Sequence, residues 1–195
     1  MLYPTKEDYI KHLLNSEKTP VKPIMESYSK DNFIIELWDE DNLLEKPSTS
    51  EENESSVVIW GLNSLEDKKF ILLGDSGVVG INDAIDYAGE EDIKSETRFY
   101  QVPHHGGRHN LDTDTMNRLV GNINVVESDV NKTAYISVGK DSDHPRQCIV
   151  NAFKRRGVKV YKTNGNIIHH HVGDMPEREG WVSLKELDFI DNYDE

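Results

Sequence analysis

Four residues carry the chemistry this chain could offer, and each follows an apolar run that reads as a β-strand: Asp75, His104, His105 and His144. Phe70-Ile71-Leu72-Leu73 leads into Gly74-Asp75-Ser76-Gly77. Phe99-Tyr100-Gln101-Val102 leads into Pro103-His104-His105-Gly106-Gly107, and Ala134-Tyr135-Ile136-Ser137-Val138 leads into Gly139 to Pro145. Strand ends that share one edge of a sheet gather the loops that follow them, so one carboxylate and three imidazoles can meet there. Carboxylate and imidazole are the ordinary ligands and proton carriers of a metal-dependent hydrolase.

Each residue has a plainer reading beside the chemical one. Asp75, set among small residues, suits a metal-bridging carboxylate that the backbone can approach closely, and it equally suits the N-cap of a following helix. Adjacent side chains diverge, so one of His104 and His105 faces the site as ligand or general acid while the other packs or orients it. His144 precedes Pro145 at an expected helix start, where the dipole disfavours a cation; a neutral, metal-bound imidazole or a simple turn histidine both fit. Arg108 and His109 read as exposed loop residues, and His12 as the surface of a first helix. His169-His170-His171 reads as an exposed strand surface, and Cys148 as buried packing. There is no phosphate-cradling glycine loop, dinucleotide fingerprint or serine nucleophile elbow.

The elements that must position these groups follow from periodicity. Thr5-Lys6-Glu7-Asp8 resembles a capping box, with Tyr9, Ile10, Leu13 and Leu14 at helical spacing, which predicts a helix over 5–16. Residues 32–38 read as a strand and the acidic, Ser-rich stretch 39–54 as a loop. Residues 55–60 and 69–73 read as a hairpin. Helices are expected over about 79–88, over 112–120 with Asp112 or Thr113 as cap, and over 145–156 with Pro145 at its first position. Strands are expected at 97–102 and 133–138, and at 158–161 and 166–171 around the Asn164-Gly165 turn. A weak helical segment falls near 183–190. Strands alternating with helices make the class α/β, in one domain without repeats.

Among 195 residues the net charge is −14, which disfavours non-specific wrapping of nucleic acid. The charge is uneven: residues 39–54 hold seven acids against Lys46, and residues 172–195 hold eight against Arg178 and Lys185. Both runs read as solvated loop and tail, leaving the rest near neutral and a phosphate-bearing substrate admissible. One cysteine, no secretion signal and no apolar run of roughly 20 residues point to a cytoplasmic protein with no membrane association.

The ordered set ILLGDSG, FYQVPHHGG, AYISVGKDSDHP and GVKVYKTNGNI, within residues 32–171, resembles the C-terminal half of a metallo-β-lactamase-fold hydrolase, nearest the ComEC-like competence-protein branch. Asn53 to Val58 resembles the segment that precedes the Gly-Asp strand in that branch. The resemblance implies half of, or a truncated, αββα sandwich over residues 1–171, followed by an acidic tail over 172–195. It implies Asp75 as metal-bridging carboxylate and His144 as the last histidine ligand. His104 and His105 would stand where relatives such as RNase Z carry a His-Glu pair that helps protonate the leaving group. The implied cofactor is a divalent metal, zinc or manganese, up to two ions.

The family's His-x-His-x-Asp-His motif is absent, and the strand end that would carry its middle histidine reads Glu36-Leu37-Trp38-Asp39. Two ligands are fewer than the three or four a zinc ion takes from protein. The implied partner is therefore a second polypeptide or segment carrying the missing half, or another copy of the chain. The implied function is a metal-dependent hydrolase, or its C-terminal subunit, cleaving a phosphodiester or related ester with metal-activated water. The alternative is a non-catalytic module of the same fold that binds a protein partner through its uncovered sheet.

Overall fold

Aromatic and branched runs, separated by glycines and turns, build a five-stranded sheet in a computed structural model that describes residues 2–16, 33–64, 68–123, 131–140, 142–170, 176 and 178–194. β2 (Ile59–Asn63) and β3 (Lys68–Leu72) form the expected antiparallel hairpin. β3, β4 (Thr97–Gln101), β5 (Thr133–Ile136) and β6 (Lys159–Lys162) run parallel, in the spatial order β2-β3-β4-β5-β6. The crossovers carry α3 (Val78–Ala88), α4 (Glu90–Glu96), α5 (Thr113–Leu119) and α6 (Gln147–Arg155). α3 and α5 touch α4 and each other, and α5 also touches α6, so these helices form one layer. Ile71, Tyr100, Ala134, Ile136 and Val160 are buried with Ile81, Ile85, Met116 and Phe153 in the core. The class is α/β, as the alternation of elements required.

Alternate strand residues point to the other face of the sheet. There Phe99 stacks on Tyr135 with centroids 5.3 Å apart, and Tyr135 on Tyr161 at 5.4 Å. All three are half-buried, and the His170 ring lies 5.2 Å from Phe99.

Several elements differ from expectation, each for a local reason. β1 (Phe33–Ile35) does not join the main sheet; it pairs antiparallel with β7 (Asn192–Asp194). The 39–54 stretch contains α2 (Glu51–Glu54), capped by Ser50, whose Oγ accepts from Asn53 N–H at 3.3 Å. α4 is an element beyond those expected from the sequence; Glu90, Glu91 and Asp92 in its first turn suit the dipole, and Lys94 pairs with Glu90 at 3.0 Å. Pro145 is not the first residue of α6, because Arg146 N–H is tied to Gly106 C=O at 3.1 Å and the helix starts only at Gln147. Asn164 and Gly165 do form a left-handed turn, at φ 48° and 74°, yet residues 166–170 pair in no strand. His171 lies outside the described residues.

The acidic stretches are less solvated than their composition suggests. Arg156 bridges Asp41 through two hydrogen bonds, 3.1 and 2.6 Å, and Arg155 donates to Glu36 at 2.7 Å, all four side chains being buried. Residues 183–190 form no helix. Asn151 donates to Ile190 C=O at 2.8 Å and accepts from Ile190 N–H at 3.1 Å. Leu187 N–H bonds to Val160 C=O at 2.8 Å, Lys154 pairs with Glu186, and Tyr193 donates to Glu36. Hydrogen bonds from a buried helix outcompete local helix formation here.

α1 (Lys6–Ser16) has the expected capping box: Thr5 Oγ1 accepts from Asp8 N–H and Asp8 Oδ2 from Thr5 N–H, both at 3.2 Å. Its orientation is the reverse of the expected one. His12 is buried, bonded to Tyr3 Oη and Glu51 Oε2 at 2.5 Å each, while Tyr9, Ile10, Leu13 and Leu14 are exposed. Among the described residues no helix is long and apolar enough to cross a membrane.

Candidate functional site

Strands β3, β4 and β5 end side by side, and the three loops that leave them carry Asp75, His104-His105 and His144. The Asp75 loop is held by side chains whose role the sequence did not suggest. Gln101 Oε1, at the end of β4, accepts from Leu73 and Gly74 N–H at 2.8 Å each. Buried Asn110 donates to Asp75 C=O at 2.8 Å and to Ser76 C=O at 3.2 Å. Ser56 Oγ accepts from Asp75 N–H at 3.2 Å. Gly74, at φ +58°, allows the chain to turn so tightly.

Asp75 does not cap α3. The capping acceptor is Glu54, buried and 23 residues upstream: its Oε2 accepts from Gly77 N–H at 3.2 Å and Gly80 N–H at 3.0 Å. A carboxylate at a helix N-terminus is favoured by both the orphan N–H groups and the dipole. The Asp75 carboxylate is thus left half-exposed, with His104 Nδ1 3.7 Å from its Oδ1.

His104 and His105 occupy the tight turn Pro103–Gly106 with left-handed backbone, at φ 44° and 57°. Left-handed backbone costs a non-glycine residue about 1–2 kcal/mol, and two in succession persist only where their surroundings impose them. His104 N–H donates to Gly74 C=O at 3.0 Å, tying this turn to the Asp75 loop. Asn53 Nδ2 lies 3.3 Å from His104 Nδ1. His105 Nδ1 lies 2.5 Å from Ser137 C=O, tying the same turn to the loop after β5. Gly106 meets Pro145 so closely that an added Cβ would lie 2.8 Å from Pro145 Cβ.

The structure therefore brings Asp75 and His104 together, sets His105 beside them with ring centroids 5.8 Å apart, and carries His144 on the adjoining loop. His144 is half-buried, with its N–H on Ser142 Oγ at 3.1 Å. Arg108 and His109 are half-buried rather than exposed. Cys148 is buried as expected, and burial pushes its thiol up to about 11, far from a thiolate nucleophile. Among the described residues no three His, Cys, Asp or Glu side chains form a group that could hold a metal ion. A separate cavity of about 550 Å³ lies between residues 39–45 and the start of α5; Asp39, Glu40, Glu45 and Asp114 make it hostile to an anionic ligand.

Comparison of the chain with protein-family models, with curated proteins and with solved structures finds no match. The chemistry of the site rests on its own geometry.

Proposed function

We propose that this chain is a metal-dependent hydrolase, or the C-terminal part of one, acting on a phosphodiester or a related ester. The observation that supports this best is the 3.7 Å approach of His104 to Asp75 at the carboxyl edge of parallel strands, the edge at which α/β sheets gather ligands. Asp75 and His144 offer a carboxylate and an imidazole, ordinary donors for zinc or manganese, with up to two ions in the complete centre. They do not fill the three or four protein positions of a zinc shell by themselves. A second polypeptide or segment, or another copy of the chain, supplies the rest, and the bound metal would activate the attacking water. The chain's own part is proton handling: His104 and His105 hold and move a proton at the rim, with the Asp75 carboxylate beside His104.

Metal content and turnover test this reading. The protein is assayed alone and with its candidate partner for bound zinc and manganese, and for cleavage of an aryl phosphodiester. At least one ion per chain is expected in the competent assembly, with cleavage abolished by Asp75→Ala and His104→Ala while the fold is kept. Substoichiometric metal in both preparations, or undiminished cleavage in either variant, overturns it.

One observation favours the second reading, a non-catalytic module that binds a protein partner. Phe33 and Ile35 alternate along β1, Leu37 follows just beyond it, and all three are more than half exposed. Two apolar side chains on one side of a two-stranded ribbon, with a third exposed just beyond it, are a natural contact for another chain.

A further inference from the structure

We propose that the adjacent histidines are held as opposite tautomers, with Asn53 the positioning residue that makes His104 a hydrogen donor at Nε2 and leaves His105 a lone pair at Nε2. The assignment follows from what each neighbour can do. A carbonyl oxygen only accepts, so His105 Nδ1, at 2.5 Å from Ser137 C=O, carries the hydrogen. The free lone pair of the neutral ring is then on Nε2. An amide nitrogen only donates, so His104 Nδ1, at 3.3 Å from Asn53 Nδ2, carries the lone pair and its hydrogen sits on Nε2.

Two further contacts hold Asn53 against His104. Its Nδ2 also donates to Thr49 Oγ1 at 2.8 Å, which sets the plane of the amide, and its backbone N–H is held by Ser50 Oγ. Asp75, an acceptor, favours the other His104 tautomer, but at 3.7 Å it stands beyond hydrogen-bonding distance while Asn53 stands within it. The left-handed backbone at both residues holds the two rings at one rim, centroids 5.8 Å apart. The pair thus presents one donor and one acceptor to a ligand. Under the hydrolase reading, His104 is the group that supplies a proton and His105 the one that receives a proton or ligates a cation; only these chemical roles rest on that reading.

The test is the tautomeric state itself. Full-length protein labelled with 15N-histidine is examined by long-range 1H–15N correlation NMR at about pH 8.5, where imidazole is neutral. Single His→Gln variants assign the rings. The expected pattern is Nε2–H at His104 and Nδ1–H at His105. Asn53→Asp replaces the donor with an acceptor and is expected to convert His104 to the Nδ1–H form while His105 keeps its pattern. Nδ1–H at His104 in the unaltered protein overturns the proposal even if the variant does not fold; so does a folded Asn53→Asp protein in which His104 stays Nε2–H. Neither measurement requires turnover, so this proposal can fail while the hydrolase reading stands, and the reverse.

Discussion

Replacing Glu54 by alanine should destabilise the fold far more than an ordinary helix-cap loss. In the native structure one carboxylate oxygen accepts both Gly77 N–H, at 3.2 Å, and Gly80 N–H, at 3.0 Å, at the start of an 11-residue helix. Hydrogen bonds to a charged acceptor contribute about 1.5–3 kcal/mol each, and sharing one oxygen makes the two less than additive. Charge–dipole attraction adds up to about 1–2 kcal/mol in a partly buried setting, and desolvation of the carboxylate offsets a similar amount. Alanine leaves two N–H donors orphaned on buried glycines, so Glu54→Ala is expected to cost about 3 kcal/mol. Glutamine keeps an acceptor and loses the charge, so Glu54→Gln should cost about 1 kcal/mol. Urea titration followed by circular dichroism measures both, through a lower midpoint at an unchanged slope. A Glu54→Ala cost under about 0.5 kcal/mol would refute the argument that this side chain caps α3.

Two further outcomes follow from the packing. Gly106→Ala combines a φ of +77° with a Cβ only 2.8 Å from Pro145, so about 2–4 kcal/mol of stability should be lost and the His105 ring signals should shift in NMR spectra. Burial, with Arg98 and Lys94 nearby, lowers Lys132 to about 8 from the ordinary 10.5. Between those values the unfolded chain keeps a proton that the folded chain releases, so this group makes stability rise with pH across that window. Lys132→Met should flatten that part of the pH–stability curve, and an unchanged curve would discount the buried amine.

Much of the frame was legible because local signals agreed with the tertiary outcome. The β2–β3 hairpin, the strands before each glycine-bearing loop and the caps at Thr5 and Asp112 all rest on periodicity and short-range chemistry. What escaped notice depends on contacts between distant residues. The partner of β1 is 159 residues further along at its central position, where Ile34 meets Tyr193, so no window of sequence could pair them. Asp41 looked like one more solvated acid, and only the fold delivers Arg156 to it. His12 reads as surface from its place in the first helix, whereas in the fold it is buried and both ring nitrogens are hydrogen-bonded to Tyr3 and Glu51, partners the local pattern does not reveal.

The site was legible in the same divided manner. Asp75 and His104 are near one another because they follow adjacent strands, which the order of motifs already implied. Their supports were not legible: Asn53, Gln101 and Asn110 are amides in unremarkable contexts, and an amide becomes a positioning group only when its neighbours are known. Only Asn53 carries a signal in the sequence itself, because it opens the Asn53–Val58 segment that precedes the Gly74-Asp75 strand.

The pairing of β1 with β7 gives the protein a clasp. Glu36, just past β1, receives Tyr193, Asn151 and Arg155 together, so segments near both extremes of the sequence are buckled onto the same helix. Loosening either side would free the other, and a tag or cut placed after residue 170 would be felt more than a hundred residues earlier, at the segment that holds Asp41.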